Sequence, residues 1–145
     1  MARIIYNDPE RLKDWAIEHY PDAAVDGDTH TLGMEIDGRL VVVTLYNNFT
    51  DHMCNMHVVS DGGRRWCTRG FLAAAFSYPF IQLGLNRVTA LVPAKNKAAL
   101  KLDMWLGFKP EGTMVEAMGD DDLIVLGMLR RDCTWLPEVS NDGRR

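Results

Sequence analysis

The chain is poor in cysteine, in long apolar segments and in excess positive charge, and each shortage excludes a class of protein. Its three cysteines, Cys54, Cys67 and Cys133, are odd in number and have no pairing pattern, which favours a reducing cytoplasm. No apolar run approaches the roughly 20 residues that span a bilayer, and residues 1–10 lack the apolar core of a secretory signal. A net charge of −4 leaves no basic surplus for nucleic-acid phosphates. We therefore expect no membrane, no nucleic-acid partner and, without Cys/His pairs at zinc-ligand spacing, no metal.

The remaining composition is that of a folded domain. Hydrophobic residues make up 47% of the 145 residues and charged residues 25%, which are ordinary values for a globular protein. A chain of this length can bury a core without disulfides. We expect residues 1–136 to form a single domain and residues 137–145 a polar tail.

Periodicity and turn residues predict an alternation of strands and helices. Asp8 is a typical helix cap, Asp37-Gly38 a tight hairpin turn, and Asn96 and Gly107 mark the two ends of a helix. The predicted order is strand 2–6, a helix ending before residue 21, loop 21–30, strands 31–36, 40–46 and 52–59, helix 68–78, strand 87–92, a helix from residue 96, and strands 109–118 and 122–129. This order predicts an α/β fold with one mixed sheet and helices on both faces.

Residues 78–112, YPFIQLGLNRVTALVPAKNKAALKLDMWLGFKPEG, contain N-x-A-A at a helix start and L-G-F at its end. This segment resembles the second half of the acetyl-CoA site of the GNAT superfamily of N-acetyltransferases, closest to the subgroup that acetylates the N-termini of ribosomal proteins. The resemblance covers residues 32–129. It implies the GNAT fold, a mostly antiparallel mixed sheet with a splayed central strand pair, and acetyl transfer from acetyl-CoA to a primary amine of a protein or peptide. Small GNAT-like proteins of tailed bacteriophages are similar in RRWCTR and YPFIQLG, which implies a viral protein in the host cytoplasm.

In the resembled family, a loop of pattern Gln/Arg-x-x-Gly-x-Gly/Ala precedes a helix whose N-terminus binds the pyrophosphate of coenzyme A. Here one alignment places Gly63, Trp66 and Thr68 on the motif positions, and neither it nor a shift by one residue gives the glycine pair. Three arginines around the helix start favour a phosphate site; the alternative is a solvated turn. The residues expected at acetyl-CoA are Val58, Val59, Gly63, Arg64, Arg65, Trp66, Cys67, Thr68, Arg69 and Asn96.

The resemblance also suggests which residues carry the chemistry. His52 falls where the family often has a glutamate base, and a histidine suits that role at neutral pH. His57 lies on the opposite face unless a bulge changes the alternation. Asp103 stands where many members have a tyrosine acid, and it can donate a proton only if its pKa is strongly raised. Tyr46, Tyr78 or water are alternative acids, and acyl transfer through Cys54 or Cys67 is a further alternative.

The acceptor has no recognisable motif. Its pocket is expected to come from the first helix, the loop 21–30 and the last hairpin. A small-molecule amine is an alternative acceptor to a protein or peptide, and a non-catalytic GNAT-like binding or virion-associated protein is an alternative function. Exposed edge strands and Trp135 are compatible with a homodimer.

Overall fold

The structure is a computed structural model that describes residues 1–137. The predicted tail lies outside the described residues from residue 138 onward. The strands are β1 (Ala2–Ile5), β2 (His30–Ile36), β3 (Arg39–Asn47), β4 (Met53–Ser60), β5 (Arg87–Pro93), β6 (Lys109–Met118) and β7 (Asp121–Leu129), and the helices are α1 (Pro9–His19), α2 (Arg69–Ser77) and α3 (Lys97–Leu106). A π-helical turn, Tyr78–Gln82, extends α2, and a short 3-10 turn, Arg130–Asp132, follows β7. No helix of this part of the chain is long and apolar enough to cross a membrane.

The seven strands form one sheet in the order β1-β2-β3-β4-β5-β7-β6. Every neighbouring pair is antiparallel except β4 and β5, which run parallel. The predicted mixed, mostly antiparallel sheet is therefore confirmed. Because α2 and α3 follow β4 and β5, respectively, both helices begin near the carboxyl ends of the parallel pair.

Helices cover both faces of the sheet, as predicted. On one face, Leu12 and Ala16 of α1 are fully buried against Val43, Leu45 and Val59. The approach is close, since a Cβ on Gly33 of β2 would lie 2.8 Å from a Leu12 methyl carbon. The other face carries the larger core, in which α2, the π-helical turn and α3 pack on the sheet.

Local signals fixed most element ends. Asp37 and Gly38 have φ of 52° and 82°, as the predicted hairpin turn requires. Asn96 accepts a hydrogen bond from the Ala99 amide at 3.1 Å, and Gly107, with φ of 119°, ends α3. Asp8 occupies the N-cap position of α1, as predicted, but its side chain makes no capping hydrogen bond and lies 4.0 Å from Arg11 instead.

The end of α2 also differs from the prediction. Pro79 has no N–H to donate to the Ala75 carbonyl one turn earlier. The hydroxyl of Tyr46, on β3, donates to that carbonyl at 2.7 Å instead. The chain then widens into the π-helical turn, in which the Leu83 amide donates to the Tyr78 carbonyl at 3.0 Å. The regular helix therefore ends at Ser77 rather than Tyr78.

Candidate active site

The parallel strands β4 and β5 are paired only at their beginnings. Three residue pairs join them, Met53 with Arg87, Cys54 with Val88 and Asn55 with Thr89. Beyond these, β4 stays paired with β3 as far as Ser60, and β5 with β7 as far as Pro93. Within residues 1–137 the facing edges of β4 and β5 therefore have no strand partner after this point. Their backbone groups are available to an extended ligand between the strands.

The loop between β4 and α2 is held by its own side chains. The Gly63 amide donates to Asp61 Oδ1 at 2.9 Å, and Trp66 Nε1 donates to the Gly63 carbonyl at 3.0 Å. Trp66 is only 2% exposed, so its indole packs in the core while its Nε1 holds the loop backbone at Gly63. A buried tryptophan thus fixes the loop conformation where the resembled family has small residues.

The first turn of α2 is capped but keeps free amides. Thr68 Oγ1 accepts a hydrogen bond from the Phe71 amide at 3.1 Å. The amides of Arg69 and Gly70 make no hydrogen bond within residues 1–137, as expected of the first residues of a helix. Such amides, together with the helix dipole, attract an anion.

The structure does not bring the three predicted arginines to one point. The Arg69 guanidinium lies 5.5 Å from the centre of the Trp135 ring. The pKa of Asp37 is lowered mainly by the N-terminal amine, and the charge of Arg65 adds a smaller lowering. Arg64 lies near Cys67, whose pKa is raised by burial and slightly lowered by this arginine. The groups at the start of α2 that suit an anion are therefore chiefly its free backbone amides.

A cavity of about 180 Å³ opens beside the diverging strands on the face that carries α1. Three regions surround it: the end of α1 with the following loop, strands β3 to β5, and the β6–β7 hairpin. The first helix, the loop after it and the last hairpin are the regions that the sequence predicted for an acceptor pocket. The strands β3 to β5 were not part of that prediction. The lining residues are Tyr20, Asp22, Ala23, Ala24, Asn47, Asn55, Met56, His57, Leu91, Pro93, Met118 and Leu123.

His57 is the histidine in this cavity. Its ring stacks on Tyr20 with centroids 5.2 Å apart, and burial lowers its pKa, so the imidazole is neutral at pH 7. His52 lies just before β4, at the paired end of the two strands, and is exposed. The register of β4 against β3 is unbroken from Asn55 to Ser60, so no bulge alters the alternation around His57, whereas His52 precedes the strand and does not line the cavity. The sequence pointed to both histidines, and the structure distinguishes them because only His57 lines the cavity.

Asp103 lies on the side of α3 that faces the larger core, one turn from Ala99 and Leu106. Burial raises the pKa of its carboxyl to about 7. Its side chain has no hydrogen-bond partner within the described range 1–137. The carboxyl is therefore about half protonated near neutral pH, which meets the condition for an acid at this position.

The alternative residues are engaged elsewhere. The Tyr46 hydroxyl is buried between Thr44 and the Ala75 carbonyl, and burial raises its pKa. Tyr78 is hydrogen-bonded to His30 at 2.6 Å. Burial raises the pKa of the Cys54 thiol to about 12, so it is no nucleophile at neutral pH. In residues 1–137, no group of three His, Cys, Asp or Glu side chains is placed to hold a metal.

No protein-family model matches this sequence, and no curated protein matches it. Several solved structures do. Spermidine/spermine N-acetyltransferase SpeG from Vibrio cholerae has a TM-score of 0.72 at 14% identity over 88% of this chain and 92% of that chain. The same enzyme with CoA and spermine has a TM-score of 0.72 at 13% identity over 90% and 96%. A probable acetyltransferase has a TM-score of 0.68 at 15% identity over 90% and 93%. The chain thus has the GNAT fold, as the sequence predicted.

Proposed function

We propose that the protein is an acetyl-CoA-dependent N-acetyltransferase that transfers an acetyl group to a primary amine by direct attack. One observation carries this proposal: the gap between β4 and β5 lies between a cavity containing a neutral histidine and a helix containing a protonatable aspartate. The similar solved structures support it, because they are acetyltransferases and one of them holds CoA with spermine.

The donor fits the gap and the start of α2. An extended pantetheine arm can take the place of the missing strand pairing and bond to the backbone of Val58 or Val59. The side chains of these two valines pack in the cores, so their contribution is through the backbone. The pyrophosphate matches the free amides of Arg69 and Gly70, beside the exposed Thr68. Asn96 begins α3 near the end of β5 and borders the same gap.

Each chemical step then has a residue suited to it. In the cavity, neutral His57 accepts the proton that the attacking amine loses as its nitrogen bonds to the thioester carbonyl carbon. The bond between that carbon and sulfur breaks, and Asp103 donates its proton to the leaving thiolate. The products are an amide and coenzyme A thiol, with no acyl-enzyme intermediate.

The two likenesses imply different acceptors. Subgroup resemblance implies a protein or peptide, whereas the SpeG structures are of a spermidine/spermine acetyltransferase. The cavity beside His57 is the observation on this chain that bears on the acceptor class. A bacteriophage source and the host cytoplasm as location are implied by the segments RRWCTR and YPFIQLG.

A pair of histidine variants tests the base. His57→Ala is expected to lower kcat about 100-fold or more, the usual contribution of a general base, while the Kd for acetyl-CoA stays unchanged. His52→Ala removes an exposed histidine that lies just before β4 and does not line the cavity, and it serves as the matched comparison. Thiol release measures turnover and calorimetry measures donor binding. If His52→Ala lowered kcat more than His57→Ala, His52 would be the base. If the protein did not bind acetyl-CoA, it would not be an acetyl-CoA-dependent enzyme.

A further inference from the structure

The cavity beside His57 has mostly apolar walls. Leu91 of β5 and the hairpin residues Met118 and Leu123 form one side, and Ala23 and Ala24 of the loop after α1 form another. Its volume of about 180 Å³ is below the roughly 300–1,000 Å³ of pockets for drug-sized ligands. The walls and the volume suit a short apolar body.

A few polar groups converge on this cavity without a partner. The hydroxyl of Tyr20, the amide of Asn55 and the imidazole of His57 make no hydrogen bond within residues 1–137. By contrast, Asn47 Nδ2 donates to the Ala24 carbonyl at 2.8 Å and fixes the loop. A few polar groups in an otherwise apolar pocket orient a single polar end of a ligand.

The lining contains one carboxylate and no lysine or arginine. That carboxylate is exposed Asp22, which forms no ion pair within residues 1–137 and lies close enough to Tyr20 to raise its pKa, together with burial. Three hairpin carboxylates near the turn have partners: Asp120 pairs with Lys95 Nζ at 3.3 Å, Asp121 accepts from the Lys95 amide at 3.1 Å, and Asp122 accepts from the Glu116 amide at 2.9 Å. The Glu116 side chain is exposed and does not line the cavity. A diamine acceptor would therefore place its second ammonium group in the cavity without a carboxylate to pair with it. An amino-acid acceptor would place its carboxylate near Asp22, with no lysine or arginine in the lining to pair with it.

We propose that the acceptor is a small primary monoamine with an uncharged apolar body, such as a short alkylamine, and not a polyamine, an amino acid or a peptide. This inference rests on the proposed function, and it names the substrate class of the same site. Asp22 attracts the ammonium to the rim. The apolar body fills the cavity and leaves the nitrogen beside His57. A second charge on the body would lose its hydration without compensation.

An acceptor panel tests this class. With acetyl-CoA as donor, kcat/KM is measured by thiol release for butylamine, 1,4-diaminobutane, 2-aminopentanoic acid and trialanine amide. Butylamine is expected to exceed each of the others by about tenfold or more, as expected when a competitor places an uncompensated polar group in an apolar pocket. Preference for the diamine would assign the polyamine class, and preference for trialanine amide the peptide class; either result overturns the proposal.

Two variants test where the apolar part of the amine binds and whether Asp22 attracts its ammonium group. Ala24→Leu narrows the cavity, so it is expected to lower kcat/KM for butylamine more than for methylamine. Asp22→Asn is expected to lower kcat/KM for butylamine about threefold at low salt and to improve 2-aminopentanoic acid relative to butylamine. Asp28→Asn is the matched control, because Asp28 is an exposed carboxylate of the same loop that does not line the cavity. Equal effects of Asp22→Asn and Asp28→Asn would overturn the role of Asp22.

A binding measurement separates this inference from the proposed function. Butylamine is titrated into the protein while the Cε1 proton of His57 is followed by NMR, assigned with His57→Ala. A saturable shift of this proton without turnover of any amine would support the cavity assignment and contradict the acetyltransferase. Absence of a shift, with turnover of other amines, would overturn the cavity assignment and leave the acetyltransferase standing.

Discussion

Asp103 is the acid of the proposed mechanism, and its burial makes that role feasible. Because burial raises its pKa to about 7, the protonated form needed by the leaving thiolate is present at neutral pH. His57 is shifted the other way, so its neutral form is present in the same range. The two residues have their active protonation states together only within a limited interval of pH.

The pH dependence of kcat therefore reports both groups. At saturating substrates, kcat is expected to rise as His57 deprotonates and to fall as pH rises through about 7, where Asp103 ionises. Asp103→Tyr is expected to move the alkaline limb towards about 10, the ordinary pKa of tyrosine. Asp103→Asn is expected to remove that limb and to lower kcat about 100-fold. An alkaline limb unchanged in both variants would exclude Asp103 as the acid.

The same pKa has a consequence for stability that does not depend on activity. The folded pKa of Asp103 is raised, so the folded state binds the proton more tightly than the unfolded state. The resulting stabilisation is complete below about pH 4 and is lost as pH rises through about 7. Between pH 5 and pH 8, urea unfolding should show that the wild type loses about 2 kcal/mol of stability relative to Asp103→Asn, because the opposing contribution of His57 is the same in both proteins.

Among the secondary-structure elements, features that depend on neighbouring residues were predictable from the sequence, and features that depend on distant residues were not. The Asp37-Gly38 turn, the Asn96 cap and the Gly107 stop depend on neighbouring residues, so the sequence predicted them correctly. The π-helical turn after α2 was missed, because the partner of the Ala75 carbonyl is Tyr46, 29 residues away. The sequence named three regions of the proposed acceptor cavity but not its residues, since the loop after α1 meets β4 and the β6–β7 hairpin only in three dimensions.

An ion pair connects three strands near the far edge of the sheet. Arg87 of β5 reaches over Gly127 of β7 and bonds to both oxygens of Glu111 on β6, at 2.6 and 2.9 Å. A Cβ at position 127 would lie 2.6 Å from an Arg87 guanidinium nitrogen. The absence of a side chain at Gly127 therefore permits the ion pair, which helps to hold the hairpin that contributes Met118 and Leu123 to the cavity.

Gly127→Ala is expected to lower the free energy of unfolding by about 1–3 kcal/mol, because the new methyl group displaces the ion pair. In the Glu111→Gln background the same substitution should cost clearly less, since the constraint on the arginine is already relaxed. Urea unfolding of the wild type, the two single variants and the double variant gives the coupling free energy between the two substitutions. Equal costs in both backgrounds would mean that the methyl group acts elsewhere than on the ion pair.

Across the whole molecule, the proposed donor and acceptor sites lie on different sides of one sheet. The donor residues belong to the side that carries α2 and α3, and the acceptor cavity to the side that carries α1. The two substrates meet only at the gap between β4 and β5. This arrangement allows both to be bound at once.

Initial rates are therefore expected to show intersecting double-reciprocal lines when acetyl-CoA and amine are varied together. In direct attack both substrates must be present before coenzyme A leaves. Neither alternative acyl carrier is activated, because burial raises the pKa of Cys54 to about 12 and raises the pKa of Cys67 above its ordinary value. A dead-end complex of CoA and amine should also form. Parallel lines, or labelled enzyme after incubation with acetyl-CoA alone, would contradict direct attack.

The gap between β4 and β5 also means that the sheet is incomplete. Only three residue pairs join the part containing β1 to β4 to the part containing β5 to β7. If Met56 continued the ladder to Ala90, the sheet would gain backbone hydrogen bonds and lose its opening. The centre of the sheet therefore has fewer hydrogen bonds between strands than a complete sheet would have. A donor bound between β4 and β5 would supply backbone hydrogen bonds to both strands and so join the two parts of the sheet.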